Sequence, residues 1–273
     1  MTRREEILAR SRKIRRRKGF FKALLGVLVF SVFFACVTWF FHLDFFAIKN
    51  IYVRGVETID EKEIKHETIN NLGGLYFWLL PKDNVLLVSK DNISAKLLNS
   101  FARAKSVKVG RNLPNGLDVE VKERINTALS CKGEVCAYID EDGFVFERAI
   151  AFDDKEFLKF FDEREDSFFV GSSVSPRVGE NILDKEEFEK LMRFAETFAS
   201  EKFSVESAHI KEDGSYFIKI NEGWNIILNK QTDIASAREN LAISLNGEIK
   251  DKRVNLNYID LRFGNKIFYK FKE

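Results

Sequence analysis

Few side chains of the usual catalytic types occur in this chain, and their spacing forms no site motif. The three histidines are His42, His66 and His209. Neither His66 nor His209 stands beside a Ser or Cys nucleophile motif. Gly73-Gly74 is not followed by the Lys-Ser/Thr pair of a phosphate-binding loop. We therefore expect no catalytic residues, no cofactor and no metal, although two distant carboxylates could still converge on a glycoside.

Cys131 and Cys136 flank a short loop with Gly133 at its middle. A hairpin at this point would bring the two thiols together, so a disulfide is the favoured interpretation in an oxidising compartment. A pair of free thiols is the alternative. A zinc site would need two further ligands, which the scattered histidines do not supply as a cluster.

Three consecutive carboxylates, Asp140 to Asp142, stand before Gly143. Their spacing does not match the calcium loop of an EF-hand. Asp142-Gly143 has the composition of a tight turn between two strands. We therefore predict a turn here and no calcium site.

A membrane span is predicted near the N-terminus. Residues 23–43 carry no formal charge and would form a helix of about 32 Å, close to the thickness of a hydrocarbon core. Ten basic and two acidic residues fill the preceding tail, residues 1–22, which should therefore stay in the cytoplasm. The bulky residues 39–43 do not suit a signal cleavage site, and Phe33-Phe34 suit a lipidated Cys36 poorly.

The charge of the chain is divided in the same way as its hydropathy. The whole chain has 44 basic and 42 acidic residues, and the part after residue 22 is mildly acidic. The basic tail indicates topology and contact with anionic lipid. Without a basic stripe in the remainder, we expect no nucleic-acid partner.

With the tail in the cytoplasm, residues 44–273 are expected to be exported. The first half of this exported part predicts a strand, two helices and two strands. The strand lies within 46–55, a Thr58…Glu61 capping box should begin the first helix, and the second begins near Asp91. The alternating segments 104–109 and 117–121 flank Leu113-Pro114-Asn115-Gly116, which is typical of a hairpin. The apolar connection 76–87 is expected to pack against the helices.

The second half is predicted to be rich in strands. It shows a strand-turn-strand pattern, two amphipathic helices, three further strands and a terminal hairpin that turns at Gly264-Asn265. The strand-turn-strand pattern covers 137–146, and the two helices cover 184–200 and 233–245. The three further strands are 205–210, 216–220 and 224–228, and the terminal hairpin is 258–271. Asp184 is the expected cap of the first helix.

The terminal hairpin has a clear alternation. Ile259, Leu261 and Phe263 are expected on one face, with Asp260 and Arg262 paired on the other. A terminal strand is often a sheet edge, and an edge can accept a partner strand. The alternative is that the hairpin only completes the core, and the pattern alone leaves both interpretations open.

The strand-helix-helix-strand-strand order after a membrane span resembles the POTRA domain of the FtsQ/DivIB bacterial cell-division family. The residues that carry the resemblance lie in four segments of this chain. They are Phe46-x-Ile48-x-x-Ile51-x-Val53-x-Gly55, Val107 to Arg124, Ile139-Asp140-x-x-Gly143-x-Val145-Phe146 and Tyr258 to Ile267. Ile125 stands where family members commonly have proline, so the local match is weaker there.

The resemblance implies an α+β fold with three parts after the cytoplasmic tail. They are a single transmembrane helix, a POTRA-like β-α-α-β-β domain at 46–124 and a β-rich domain with flanking helices at 125–273. The chain would be a single-pass protein of the cell membrane, with its N-terminus in the cytoplasm, at the division septum.

The resemblance also implies a non-enzymatic role in assembling the divisome. The β-domain would bind FtsB/DivIC-type and FtsL-type proteins and so control septal peptidoglycan synthesis, while the POTRA-like domain recruits other components. The partner-binding residues implied by the matching positions are Arg262, Phe263, Gly264, Ile267 and Tyr269. The alternative function is a membrane-anchored POTRA-type binding module for another extracytoplasmic partner.

Overall fold

The computed structural model describes residues 3–150, 157–164, 176–198, 203–264 and 266–272, with side chains from residue 19 onward except residue 251. Asn265 of the predicted terminal turn and the end of the predicted helix 184–200 lie outside these residues. The helices are α1 (Arg3–Phe41), α2 (Glu61–Leu72), α3 (Lys90–Ser100), α4 (Lys185–Phe198) and α5 (Ile234–Ser244). The chain divides into two compact units, residues 1–123 and 124–273.

Fourteen strands are present in the described residues. They are β1 (Asn50–Arg54), β2 (Leu75–Tyr76), β3 (Leu80–Pro81), β4 (Ala104–Asn112), β5 (Gly116–Glu123), β6 (Ala128–Lys132), β7 (Val135–Ile139), β8 (Val145–Ala149), β9 (Leu158–Asp162), β10 (Val205–Ile210), β11 (Ser215–Ile220), β12 (Asn225–Asn229), β13 (Leu256–Phe263) and β14 (Lys266–Phe271). A π-helical turn, Leu245–Ile249, and a 3₁₀ segment, Lys250–Asn255, connect α5 to β13. The predicted α+β class, with an N-terminal apolar helix and a strand-rich second part, is confirmed.

Helix α1 is long and apolar enough to cross a membrane. Its apolar part, Gly19–Phe41, has 23 residues, none of them buried in the protein, and would measure about 34 Å. The helix ends at Phe41, two residues before the predicted limit. The buried amide of Asn84 donates a hydrogen bond of 2.8 Å to the Phe41 carbonyl, one of the last carbonyls of a helix that need a partner.

The first unit contains the predicted β-α-α-β-β order. Its sheet has the order β1-β5-β4, with β1 parallel and β4 antiparallel to β5. Helices α2 and α3 cover one face through Ile64, Ile93 and Leu97, which pack in one core with strand residues such as Val119.

The start of α2 differs from the prediction. The Thr58…Glu61 capping box is wrong, because Asp60 is the N-cap and accepts the N–H of Lys62 at 2.8 Å. The carboxylate of Glu123, at the end of β5, instead accepts the three N–H groups of residues 57–59, at 2.8 to 3.1 Å. Glu123, which is distant in the sequence, therefore binds the Thr58 N–H that the predicted capping box assigned to Glu61.

The apolar connection between α2 and α3 forms an additional hairpin. Strands β2 and β3 pair antiparallel around a tight turn at Phe77-Trp78. Val85 packs inside as expected, but the packing prediction is wrong for Phe77 and Trp78, which are 90% and 91% exposed. This hairpin is the main departure of the first unit from its sequence pattern.

The second unit is built on one mixed sheet. The strand order is β14-β13-β12-β11-β10-β9-β6-β7-β8. Helices α4 and α5 cover one face, and their apolar side chains share a core with the sheet. A smaller cluster on the opposite face contains Leu129, Cys131 and Cys136.

The predicted turn at Asp142-Gly143 is present and is organised by Asp140. The buried carboxylate of Asp140 accepts the N–H groups of Asp142 and Phe144 at 2.9 and 3.0 Å. It also accepts Nη1 of Arg124 at 2.5 Å. Gly143 has φ +82°, and a Cβ there would lie 3.1 Å from Phe188. These contacts favour the turn over a calcium loop.

Candidate partner-binding edge

The last strand of the chain lies at one edge of the nine-stranded sheet. Strand β13 runs parallel to β12, and β14 pairs antiparallel with β13. Within the described residues, no strand pairs with the outer side of β14. An edge of this kind leaves backbone N–H and C=O groups that can pair with another chain.

The opposite edge of the sheet is partly covered. Strand β8 begins at Val145, whose N–H donates to the Glu180 carbonyl at 2.9 Å and whose carbonyl accepts the Gly179 N–H at 2.8 Å. A segment of the chain itself therefore occupies the start of this edge. Of the two edges of the sheet, β14 is therefore the one that is more open to a partner strand.

Two of the predicted residues hold β14 against its own domain. Ile267 is half-buried against the core. The hydroxyl of Tyr269 donates to Oε2 of Glu248 at 2.9 Å. This hydrogen bond, together with the negative charge of Glu248, raises the pKa of Tyr269. Both side chains secure the strand to the side of the sheet that carries α5.

Phe263 does not face the side that the alternation predicted. One extra residue in β13 makes a β-bulge between Asp260 and Phe263, with Asp260 opposite Phe268 and Phe263 opposite Lys266. The bulge reverses the side-chain alternation, so the predicted common face of Phe263 and Leu261 is wrong. Phe263 is 55% exposed, on the same face as Phe268.

Sequence reasoning missed Phe268 as a member of the edge. Its side chain is 51% exposed, and its ring centroid lies 5.2 Å from that of Phe263 in an edge-to-face arrangement. Lys266 and Lys270 lie on the same face. The alternation of Phe268 with Lys270 in the sequence could have indicated this apolar and basic surface.

The predicted pairing of Arg262 with Asp260 is present. Nη2 of Arg262 donates to Oδ2 of Asp260 at 2.7 Å, and Nε donates to Oδ1 at 3.0 Å. Asp213 lies further away, at 3.7 Å from Nη1. The hydrogen bonds to Asp260 raise the pKa of Arg262 despite its partial burial. The guanidinium carbon is 5.6 Å from the ring centroid of Phe263, a cation-π contact that orients the exposed aromatic ring.

Gly264 begins the turn between β13 and β14. Its φ is +64°, in the left-handed region that glycine adopts without steric cost. Its carbonyl accepts the side-chain amide of Asn240 at 3.3 Å, which joins the turn to α5. The predicted residues thus fall into an exposed aromatic, Phe263, and residues that position the strand and its turn.

A polar cleft of about 360 Å³ adjoins Arg262. Burial and the charge of Glu187 raise the pKa of Tyr216 to about 12. Hydrogen bonds to Glu187 and Asp184 raise the pKa of Lys230 to about 12. These groups neutralise one another, so the cleft is a network of paired charges rather than a site with a single sign of charge.

Cys131 and Cys136 face each other in β6 and β7. The structure joins Cys131 and Cys136 in a disulfide, with their Cα atoms 4.1 Å apart. Both residues are buried in the cluster with Leu129. Their oxidation state in the cell remains a prediction from export.

Ser207, His209 and Glu163 form a hydrogen-bonded chain that the sequence did not indicate. Oγ of Ser207 is 3.1 Å from Nε2 of His209, and Nδ1 of His209 is 2.7 Å from Oε1 of Glu163. This order resembles a hydrolase triad. However, Ser207 is buried within β10, which pairs with β9 on one side and β11 on the other, so its hydroxyl is not open to a substrate. The arrangement favours a structural role.

His66 and the acidic side chains of the Asp140 turn also make local contacts. Nδ1 of His66 is 3.2 Å from the amide of Asn70 on the same helix. Among the residues that the structure describes, no three His, Cys, Asp or Glu side chains are grouped as metal ligands. In the Asp140 turn, Asp140 pairs with Arg124 and Asp142 pairs with Lys185.

The fold defines the class of the protein. It is an α+β protein with one apolar N-terminal helix suited to membrane anchoring, a POTRA unit and a strand-rich second unit. Residues 46–124 match the family model of the POTRA domain, FtsQ-type. This match supports an FtsQ/DivIB family protein, as the sequence motifs predicted. A search of the curated proteins finds no match.

Proposed function

We propose that this chain is a non-enzymatic assembly protein of the bacterial divisome. The FtsQ-type POTRA domain suggests a cell-division protein, and the open edge at β14 supports a role in binding. The proposed partners are FtsB/DivIC-type and FtsL-type proteins. Their capture would control septal peptidoglycan synthesis, and the POTRA domain would recruit other divisome components.

The proposed binding mode is the addition of a partner strand to β14. Main-chain hydrogen bonds would contribute affinity, each about 0.5–1.5 kcal/mol net. Specificity would come from the face that Phe263 and Phe268 share with Lys266 and Lys270, which fits a strand with apolar and acidic side chains. The lysines also oppose indiscriminate pairing of the edge.

The membrane span would strengthen this binding by raising the effective concentration of membrane-bound partners. The basic tail supports a cytoplasmic N-terminus, so both units would lie outside the cytoplasm, at the septum. Partners held in the same membrane meet this edge at a raised effective concentration. A modest strand interface is then sufficient for assembly.

The test is capture of a cognate FtsB/FtsL-type complex by the full chain in lipid nanodiscs. Phe263→Lys should weaken capture at least tenfold, because it removes the exposed ring and adds a charge to the aromatic face. The matched control is Ile150→Lys, which changes an exposed apolar residue after β8, at the opposite edge of the sheet.

Three outcomes are separable. Loss of capture by Phe263→Lys alone supports the edge. Equal capture by wild type and Phe263→Lys, with an unchanged fold, would refute the edge and move the contact elsewhere. No capture by folded wild type would favour the alternative of a POTRA-type module for another extracytoplasmic partner.

A further inference from the structure

We propose that the β2–β3 hairpin is a second membrane contact of the first unit. Its tip, Phe77 to Leu79, would enter the lipid interface at the end of the bilayer where α1 terminates. The inference depends on α1 as a membrane span and is independent of the partner at β14.

The tip presents apolar surface in a form that is unfavourable in water. Phe77 and Trp78 are adjacent and almost fully exposed, and Leu79 beside them is also exposed. Exposed aromatic side chains that are contiguous in a small surface usually mark an interaction site. Burial of these three side chains would recover most of their hydrophobic free energy.

The backbone of the tip also violates a local rule. Phe77 and Trp78 have φ values of 49° and 62°, and the N–H of Leu79 donates to the Tyr76 carbonyl at 3.0 Å. This is the geometry of a two-residue hairpin turn that normally contains Asn-Gly, since both central residues need positive φ. Two bulky aromatics are costly there. A local violation of this kind is expected where a function requires the side chains.

The hairpin is held beside the end of α1 by the backbone. Asn84, which follows β3, donates to the Phe41 carbonyl and forms a β-bridge with Ala47. The N–H of Ile48 donates to the Asp83 carbonyl at 2.8 Å. The chain that leaves the helix and the chain that leaves the hairpin are therefore joined within a few residues of the membrane.

The depth of the tip is given by its neighbours on α1. Leu79 lines an open apolar groove of about 580 Å³ with α1 side chains that include Phe34 and Trp39. At 1.5 Å per residue, Phe34 lies about 10 Å from the helix end at Phe41. The groove extends from Phe30 to His42, so Leu79 lies beside the last turns of the apolar helix.

The chemistry of the hairpin fits a lipid interface better than a protein pocket. Tyr76 and Trp78 are the aromatic types enriched at membrane interfaces. Nζ of Lys82 lies 5.5 Å from the Tyr76 ring, with an apolar stem that can follow the hairpin while the charge reaches the headgroups. Strands of two residues leave few unpaired backbone groups, which limits the cost of shallow insertion.

The first experiment measures tryptophan quenching in nanodiscs whose lipids carry bromine near the headgroup. The chain has three tryptophans: Trp39 in the span, Trp78 at the tip and Trp224 in the core of the second unit. With equal emission, Trp78→Phe should lower the quenched fraction from about two thirds to about one half, because it removes a quenched indole. If Trp78 lies in water or against protein, the same variant raises the fraction, which would overturn the proposal.

The second experiment separates membrane contact from turn stability. Phe77→Asn/Trp78→Gly supplies the residues that this turn prefers, so the fold should be retained. Lipid contact predicts that amides 75–80 exchange with solvent about tenfold faster in the double variant than in wild type, both in nanodiscs. Slower exchange would mean that only turn propensity matters, and would refute the proposal. Ile69→Asn, at an exposed apolar site on α2, is the control and should leave this exchange unchanged.

Discussion

The contact between Glu123 and the start of α2 gives the sharpest prediction for the POTRA unit. One carboxylate at the end of β5 accepts the N–H groups of Glu57, Thr58 and Ile59, at 2.8 to 3.1 Å. It thereby joins the last strand of the unit to the loop before its first helix. We expect Glu123→Gln to loosen this loop while the fold is retained.

The size of the effect follows from the number and type of these bonds. A hydrogen bond to a charged group contributes about 1.5–3 kcal/mol net, and a neutral one about half of that. Glutamine keeps one oxygen acceptor but turns an NH₂ donor toward N–H groups, and partial exposure admits water. We therefore expect a loss of about 1–2 kcal/mol, or roughly 5- to 30-fold in the local opening equilibrium.

The stability that Glu123 contributes should change with pH in a definite direction. Burial alone would raise the pKa of Glu123, but the hydrogen bonds from Ile59, Glu57 and Thr58 outweigh it and hold the pKa below its ordinary 4.5. A depressed folded-state pKa stabilises the fold above pH 4.5, and that stabilisation is lost as the pH falls through the folded value. The difference between wild type and Glu123→Gln should therefore be complete at neutral pH and shrink on acidification.

The assay is hydrogen exchange of residues 57–59 in the full chain in nanodiscs, followed by mass spectrometry. Glu120→Gln, an exposed glutamate on the same strand, is the matched control and should change stability by less than about 0.5 kcal/mol. Unchanged exchange at residues 57–59 in Glu123→Gln would refute the argument. An equal effect of both substitutions would attribute the change to net charge instead.

Three further substitutions test other parts of the fold. Gly55→Ala should lower the thermal midpoint by at least about 4–8 °C, because its Cβ would lie 2.2 Å from the Val121 carbonyl oxygen at a φ of +80°. Asp140→Asn should cost about 3 kcal/mol in urea unfolding, since it leaves the Arg124 guanidinium without its carboxylate in a mostly buried site. Cys131→Ser should cost about 2 kcal/mol from loop closure, and a reductant should lower the urea midpoint of wild type equally. For each variant separately, an unchanged unfolding midpoint would count against the contact on which that prediction rests.

Elements with local signals could be predicted from the sequence. Helix α4 was predicted to begin with Asp184 as its cap, and it begins at the next residue, Lys185, where the N–H of Phe188 donates to the Asp184 carbonyl at 2.9 Å. The strand predicted at 205–210 is β10 with the same limits. In both cases a cap or an alternation is contained within a few consecutive residues, so no distant contact can override it.

Features that depend on distant residues could not be predicted in this way. The capping box at Thr58 is compatible with its local sequence, but Glu123, at the other end of the unit, takes the Thr58 N–H that Glu61 would have bound. Likewise, the alternation in β13 assumes an uninterrupted strand. Pairing with β14 introduces one extra residue after Asp260, and every side chain beyond that point changes face.

This change of face alters how the proposed site would work. Had Phe263 followed the alternation, it would lie with Leu261 in the core and could not reach a partner. The bulge instead places it beside Phe268 on the exposed face, where the Arg262 guanidinium lies against its ring. Because two hydrogen bonds already commit Arg262 to Asp260, a new ion pair with a partner would have to compete with them. Arg262 is therefore better understood as the residue that positions Phe263, and the free energy of strand addition would come from the aromatic pair and the open backbone of β14.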